Sequence, residues 1–87
     1  MKNIVIFGSG GHAKVILAEI LQFKSKYKFH GFVDESKKIG SSIIKIKNKS
    51  YRTVDLKLKR IKNLHGIIGI GDNFMRFKYY KNIKKKF

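Results

Sequence analysis

The sequence predicts a small Rossmann-like α/β domain, three layers deep, on a parallel sheet of three to four strands. Three observations lead there. An apolar run, Ile4 to Phe7, stops at a glycine-rich turn, Gly8-Ser9-Gly10-Gly11-His12-Ala13-Lys14, and helical spacing follows at once. A second apolar run ends on Asp34-Glu35, and a third closes on Gly71-Asp72-Asn73. Strand, helix, strand, helix in alternation implies a parallel sheet with right-handed crossovers.

Each element has its own grounds. Ile4 to Phe7 is short, β-branched and stopped by glycine, the mark of a buried strand. Ala13, Ile16, Leu17, Ile20 and Leu21 fall at i, i+3, i+4, i+7 and i+8, one face of a helix. Phe29 to Val33, with Gly31 inside it, reads as the second strand. Ser41 to Ile46 fits a short edge strand or a loop, since Ile43, Ile44 and Ile46 are its apolar content. Val54, Leu58 and Ile61 share a helical face, while Val54, Leu56 and Leu58 also alternate as in a strand. His65 to Ile70 reads as a further buried strand. Asp72 or Asn73 then caps a helix containing Phe74, Phe77, Tyr80 and Ile83. No internal repeat or linker divides residues 1–87, so they read as one domain.

Composition bounds the function. The 87 residues suffice for one modest core, typical domains being roughly 100–150 residues. No run approaches the roughly 20 apolar residues that span a bilayer. The first apolar run, four residues ending in a glycine turn, does not make a signal peptide. Absence of Cys removes disulfides and thiolate metal sites and fits a cytoplasmic location. The net charge of +16 is spread along the chain, at Lys2, Lys24, Lys45, Lys57, Lys78 and Lys84 among others. Only three arginines occur, although bidentate base recognition favours Arg, which argues against a nucleic-acid partner. Abundant Ile, Lys, Phe, Tyr and Asn without Pro are expected of an AT-rich coding sequence. A basic chain also attracts polyanions such as RNA, anionic lipid or phosphorylated sugars, and diffuse charge does not choose among them.

The glycine turn carries the functional signal, because a strand-to-helix glycine turn lets backbone N–H groups approach an anion closely. As a Walker P-loop it fails twice: Ala13 replaces the second Gly, and Val15 replaces the Mg²⁺-binding Ser or Thr. As a dinucleotide fingerprint it fits G-x-G-x-x-A at Gly8, Gly10 and Ala13, with Asp34 placed to reach a ribose hydroxyl. The chain lacks the second half that cradles a full dinucleotide, so a truncated NAD(P)-binding domain is the alternative. The third pattern is a nucleotide-sugar site, with the turn on a diphosphate and Asp34-Glu35 facing a ribose or base.

Three segments occur in register: Ile6-Phe7-Gly8-Ser9-Gly10-Gly11-His12-Ala13-Lys14, Gly31-Phe32-Val33-Asp34-Glu35, and Ile68-Gly69-Ile70-Gly71-Asp72-Asn73 with Arg76. Together they resemble the N-terminal domain of the sugar O- or N-acetyltransferases typified by NeuD and PglD. The resemblance covers almost the whole chain. It implies a nucleotide-sugar partner, UDP- or CMP-linked, in the biosynthesis of bacterial surface glycans or sialic-acid-type sugars. It also implies that Gly8, Gly10, Gly11, His12, Asp34, Glu35 and Gly71 line the substrate pocket.

In that family the catalytic histidine and the acetyl-CoA site belong to a left-handed β-helix of hexapeptide repeats, which also makes the trimer. These 87 residues contain no such repeats, so no catalytic residue, cofactor or metal ligand is assigned to them. The lysine-rich stretch Ile46 to Ser50 departs from the family pattern, where a glycine turn is usual.

Other residues have plainer readings. Lys14 reads as a solvated helix residue, and His12 as either a ligand contact or a structural hydrogen-bond partner. His30 and His65 lack metal-ligand spacing. Arg76 either pairs with Asp72 or reaches a phosphate.

Overall fold

The computed structural model describes residues 2–23, 25–55 and 61–70. Strand β1 (Lys2–Phe7) leads through the glycine turn into helix α1 (Gly11–Leu21) and back to strand β2 (Tyr27–Val33). A hairpin of β3 (Ser42–Ile46) and β4 (Lys49–Arg52) follows, and then β5 (Leu64–Ile68). The main sheet is parallel, in the order β2-β1-β5, which puts the first strand of the chain at its centre.

That central position explains the composition of β1. Ile4 and Ile6 join Ala13, Leu17, Ile20 and Phe32 in one buried cluster, while Val5 and Phe7, facing the other way, are buried as well. A parallel strand covered on both faces reads as an unbroken apolar run instead of an alternating one. The α1 stripe Ala13, Leu17, Ile20 lies over the Ile4–Ile6 face. Leu17 is fully buried, so Leu17→Ala costs about 2–5 kcal/mol once the cavity is counted.

β2 is longer than the apolar run because Tyr27 and Lys28 already pair with Lys2 and Asn3. A bulge interrupts it: Ile4 pairs with Phe29 and Val5 with Gly31, leaving His30 extra. Gly31 takes φ +146°, and a Cβ there would strike the Val54 side chain. The His30 imidazole meets Asn3 Oδ1 at 2.9 Å, and Asn3 Nδ2 donates to the Lys62 carbonyl at 3.1 Å, so one amide spans all three strands near their starts.

The hairpin supplies the edge strand expected over Ser41–Ile46, but it forms a separate antiparallel sheet, so the parallel sheet has three strands among the described residues. Its turn, Lys47-Asn48, has φ +49° and +67°, the conformation of a two-residue type I′ turn. This is the local form of the lysine-rich stretch that departs from the family pattern. Ile44, Ile46 and Tyr51 face the core, and Phe29 bridges Phe32 and Tyr51 at ring-centre distances of 5.2 and 6.0 Å.

Thr53 ties the hairpin to the main sheet. Buried, its hydroxyl donates to the Lys38 carbonyl at 2.8 Å and accepts the Ser41 N–H at 3.0 Å, while Val54 N–H donates to Phe32 carbonyl at 2.8 Å. Val54 thus continues an extended segment instead of opening a helix. Of the rest of that expected helix face, Leu58 lies outside the described residues and Ile61 belongs to no helix or strand; the helix expected from Phe74 to Ile83 also lies outside the described residues. Among the described residues no helix is long and apolar enough to cross a membrane.

Candidate functional site

The site is built at the carboxyl edge of the parallel sheet, where the ends of β1, β2 and β5 meet the start of α1. Gly8 makes the meeting possible. Its φ is +100°, its N–H donates to the Val33 carbonyl at 2.9 Å, and a Cβ there would lie 2.9 Å from Ile70 Cγ1 and 3.2 Å from the Gly69 carbonyl oxygen. Gly69 is confined from the other side. Its N–H donates to the Phe7 carbonyl at 2.7 Å, and an added Cβ would stand 2.8 Å from Ala13 Cβ and 2.7 Å from Ile6 Cγ2. The third strand therefore leaves the ladder at Ile68, short of the expected Ile70, because Gly69 turns in under the first turn of α1.

Gly10 and Gly11 behave differently. Gly10, the N-cap of α1, has φ −82°, a value open to any residue, and an added Cβ at either glycine meets nothing within 4 Å. Both are exposed. No side chain caps the helix and no acidic residue sits in its first turn. The first helical hydrogen bond runs from Lys14 N–H to the Gly10 carbonyl at 3.1 Å, so the preceding N–H groups enter the helix without an intrahelical acceptor. Together with the helix dipole they give this end a positive, anion-facing character. His12 is exposed in the same turn, and Ala13 is buried beneath it.

Asp34 closes the site on the β2 side. Its Oδ2 accepts the buried Ser9 hydroxyl at 2.5 Å, and its Oδ1 accepts the Ser36 hydroxyl at 2.6 Å and the Ser36 N–H at 3.0 Å. Partial burial raises the carboxyl on its own. The hydrogen bonds from Ser36 and Ser9, with Lys37 nearby, outweigh it and hold Asp34 below its ordinary value. Asp34 is thus a charged clip between the glycine turn and the end of β2. Glu35, next to it, is exposed.

The structure brings Gly8, Gly10, Gly11, His12, Asp34 and Glu35 to one edge of the sheet; Gly71 lies outside the described residues. Two contributors went unassigned in the sequence reading. Ser9 lies inside the glycine turn, and Gly69 inside the strand expected from His65 to Ile70. The signal for Ser9 is a small hydroxyl two positions after one strand end, opposite an acid just after the end of the next. No three His, Cys, Asp or Glu side chains gather as a metal site among the described residues.

A parallel α/β sheet with an uncapped glycine helix start at its carboxyl edge defines the class: a small Rossmann-like domain. The chain belongs to the PglD N-terminal domain family, whose model matches residues 3–83. No curated protein and no solved structure matches it.

Proposed function

We propose that this domain binds a nucleotide sugar, UDP- or CMP-linked, as the substrate domain of a NeuD/PglD-like sugar acetyltransferase in bacterial surface-glycan or sialic-acid-type sugar biosynthesis. The observation that carries the reading is the contrast among the glycines: the fold requires Gly8 and Gly69, whereas Gly10 and Gly11 answer to no backbone or packing demand. Two side-chain-free positions at an uncapped helix start leave room for a diphosphate against the N–H groups. Membership of the PglD N-terminal domain family supports the sugar-linked ligand.

In this reading the turn holds the diphosphate and His12 stands beside it. Asp34 positions the turn through Ser9, and its Oδ2, which accepts that one bond, keeps capacity to accept a ribose hydroxyl, while Ser36 fills Oδ1. Glu35 and Gly71 complete the pocket. The domain orients its ligand for acetyl transfer carried out elsewhere, with acetyl-CoA bound outside these residues.

Isothermal titration against UDP- and CMP-sugars tests the proposal. Saturable heat that disappears in Gly11→Val supports it. Absence of heat with every nucleotide sugar at millimolar concentration overturns it, and so does tighter binding of NAD(H) than of UDP.

A further inference from the structure

The two edges of the parallel sheet carry different surfaces. Asp34 and Glu35 stand at the carboxyl edge, and Asp55 comes just after the Thr53 bridge to Phe32 toward the end of β2. The amino edge is a field of lysine. Lys2 opens β1 and donates its N–H to the Lys26 carbonyl at 2.8 Å; Lys62 lies against Asn3, one residue further along. Helix α1 returns from the glycine turn to this same edge, where Phe23 stands 50% exposed and its carbonyl accepts the N–H groups of Lys26 and Tyr27.

The hairpin turn reaches the same place. Between it and the end of α1 opens a cleft of about 400 Å³, with Ala18, Leu21 and Ile46 as aliphatic lining and Lys47 and Lys49 at its lip. Lys2, Lys26, Lys47, Lys49 and Lys62 are all exposed. Among the described residues, Glu19, one turn up α1, is the acid nearest this side in the chain.

We propose that the amino edge is a docking surface for an anionic lipid bilayer, with Phe23 entering the interface and the lysines resting on the headgroups. An exposed ring beside clustered ammonium groups combines the two forces that hold a protein on such a surface: apolar burial at the headgroup boundary and attraction to anionic lipid. Lysine stems also lie along apolar surface while their charges stay in water. The aliphatic cleft offers a place for lipid carbon.

Nucleic acid fits this edge less well. The Phe23 ring has the Lys26 ammonium over it at 5.9 Å and the Tyr51 ring has that of Lys49 at 5.4 Å, so a face of each ring is already taken. Base stacking needs open aromatic platforms, and base recognition favours arginine, which is missing from this edge among the described residues. Docking by the amino edge turns the glycine turn away from the bilayer, toward a water-borne ligand.

The chain has no Trp, so a single substitution reports on its own surroundings. In Phe23→Trp, emission shifts to the blue and is quenched by brominated acyl chains on phosphatidylglycerol vesicles, and neither occurs on phosphatidylcholine. Ile39→Trp, at a 60% exposed position in the loop held by Thr53, shows neither effect on either vesicle. Lys26→Gln with Lys47→Gln lowers partitioning about tenfold or more, whereas Lys38→Gln with Lys45→Gln lowers it less than about twofold. All these positions are exposed, and circular dichroism verifies that each variant is folded. Equal shifts at both tryptophans, no shift at either, equal losses for the two lysine pairs, or stronger quenching of Phe23→Trp by single-stranded RNA than by the anionic vesicles overturns the proposal.

Discussion

The two halves of the glycine turn differ in what they answer to. Gly8-Ser9 is crowded and bonded: a positive φ, the Gly69 and Ile70 atoms against any Cβ, and a buried hydroxyl on Asp34. Gly10-Gly11, two residues further on, is open, unstrained and exposed. One motif thus contains a structural demand and a reserved space, and a glycine in a pattern does not reveal which of the two it serves.

Substitutions separate the halves. Gly8→Val has the largest expected effect, because strain at positive φ and overpacking against Ile70 add to about 3 kcal/mol or more, enough to unfold a domain of this size. Chemical denaturation measures it, and a stable Gly8→Val variant would break the comparison. Gly69→Ala is next at about 1–3 kcal/mol, since the new methyl must displace Ile6 and the first turn of α1.

Asp34 gives a pH-dependent version of the same contrast. Its carboxyl is lowered from an ordinary value of 3.8 in the folded state, so its contribution is complete above that value and is lost as pH falls through the lower folded value. Denaturation midpoints followed from neutral pH downward should therefore decline steeply below about pH 4, and Asp34→Asn should flatten that decline while costing about 1–3 kcal/mol at neutral pH. The smallest effect on stability belongs to Gly11→Ala, which leaves the fold intact and raises stability by up to about 1 kcal/mol through lower unfolded-state entropy. If the reserved-space reading holds, that variant weakens nucleotide-sugar binding without loss of stability; destabilisation by Gly11→Ala would merge the two halves into one structural motif.

Much of the fold was legible because its strands announce themselves by where they stop. Ile4 to Phe7 ends in glycine, Phe29 to Val33 in Asp34-Glu35, and the α1 stripe has unmixed helical spacing. The hairpin was harder. Lys49–Arg52 contains one large apolar residue, Tyr51, and its partner strand is joined by Lys-Asn where Asn-Gly is the strong type I′ signal. Val54 shows the limit of periodicity, since helical and strand spacings overlap there and only the fold shows that its own N–H bonds the Phe32 carbonyl. At the site, residue types marked the edge but not the division of labour. Asp34 was readable as an acid at the right place; that Ser9 occupies one of its oxygens depends on a fold that joins residues 25 positions apart, whereas Ser36 binds the other from two residues along the chain.

The position of β1 has a consequence for how the domain assembles. Its partner β5 begins some sixty residues later, with Asn3 beside Leu64 and Phe7 beside Ile68. Closing so long a loop is a late and slow step, because its entropy is lost before the strand contacts compensate it. The shape of the glycine turn depends on that closure, since Gly69 and Ile70 form one wall around Gly8. Though written in the first dozen residues, the glycine turn acquires its form only when the seventieth arrives.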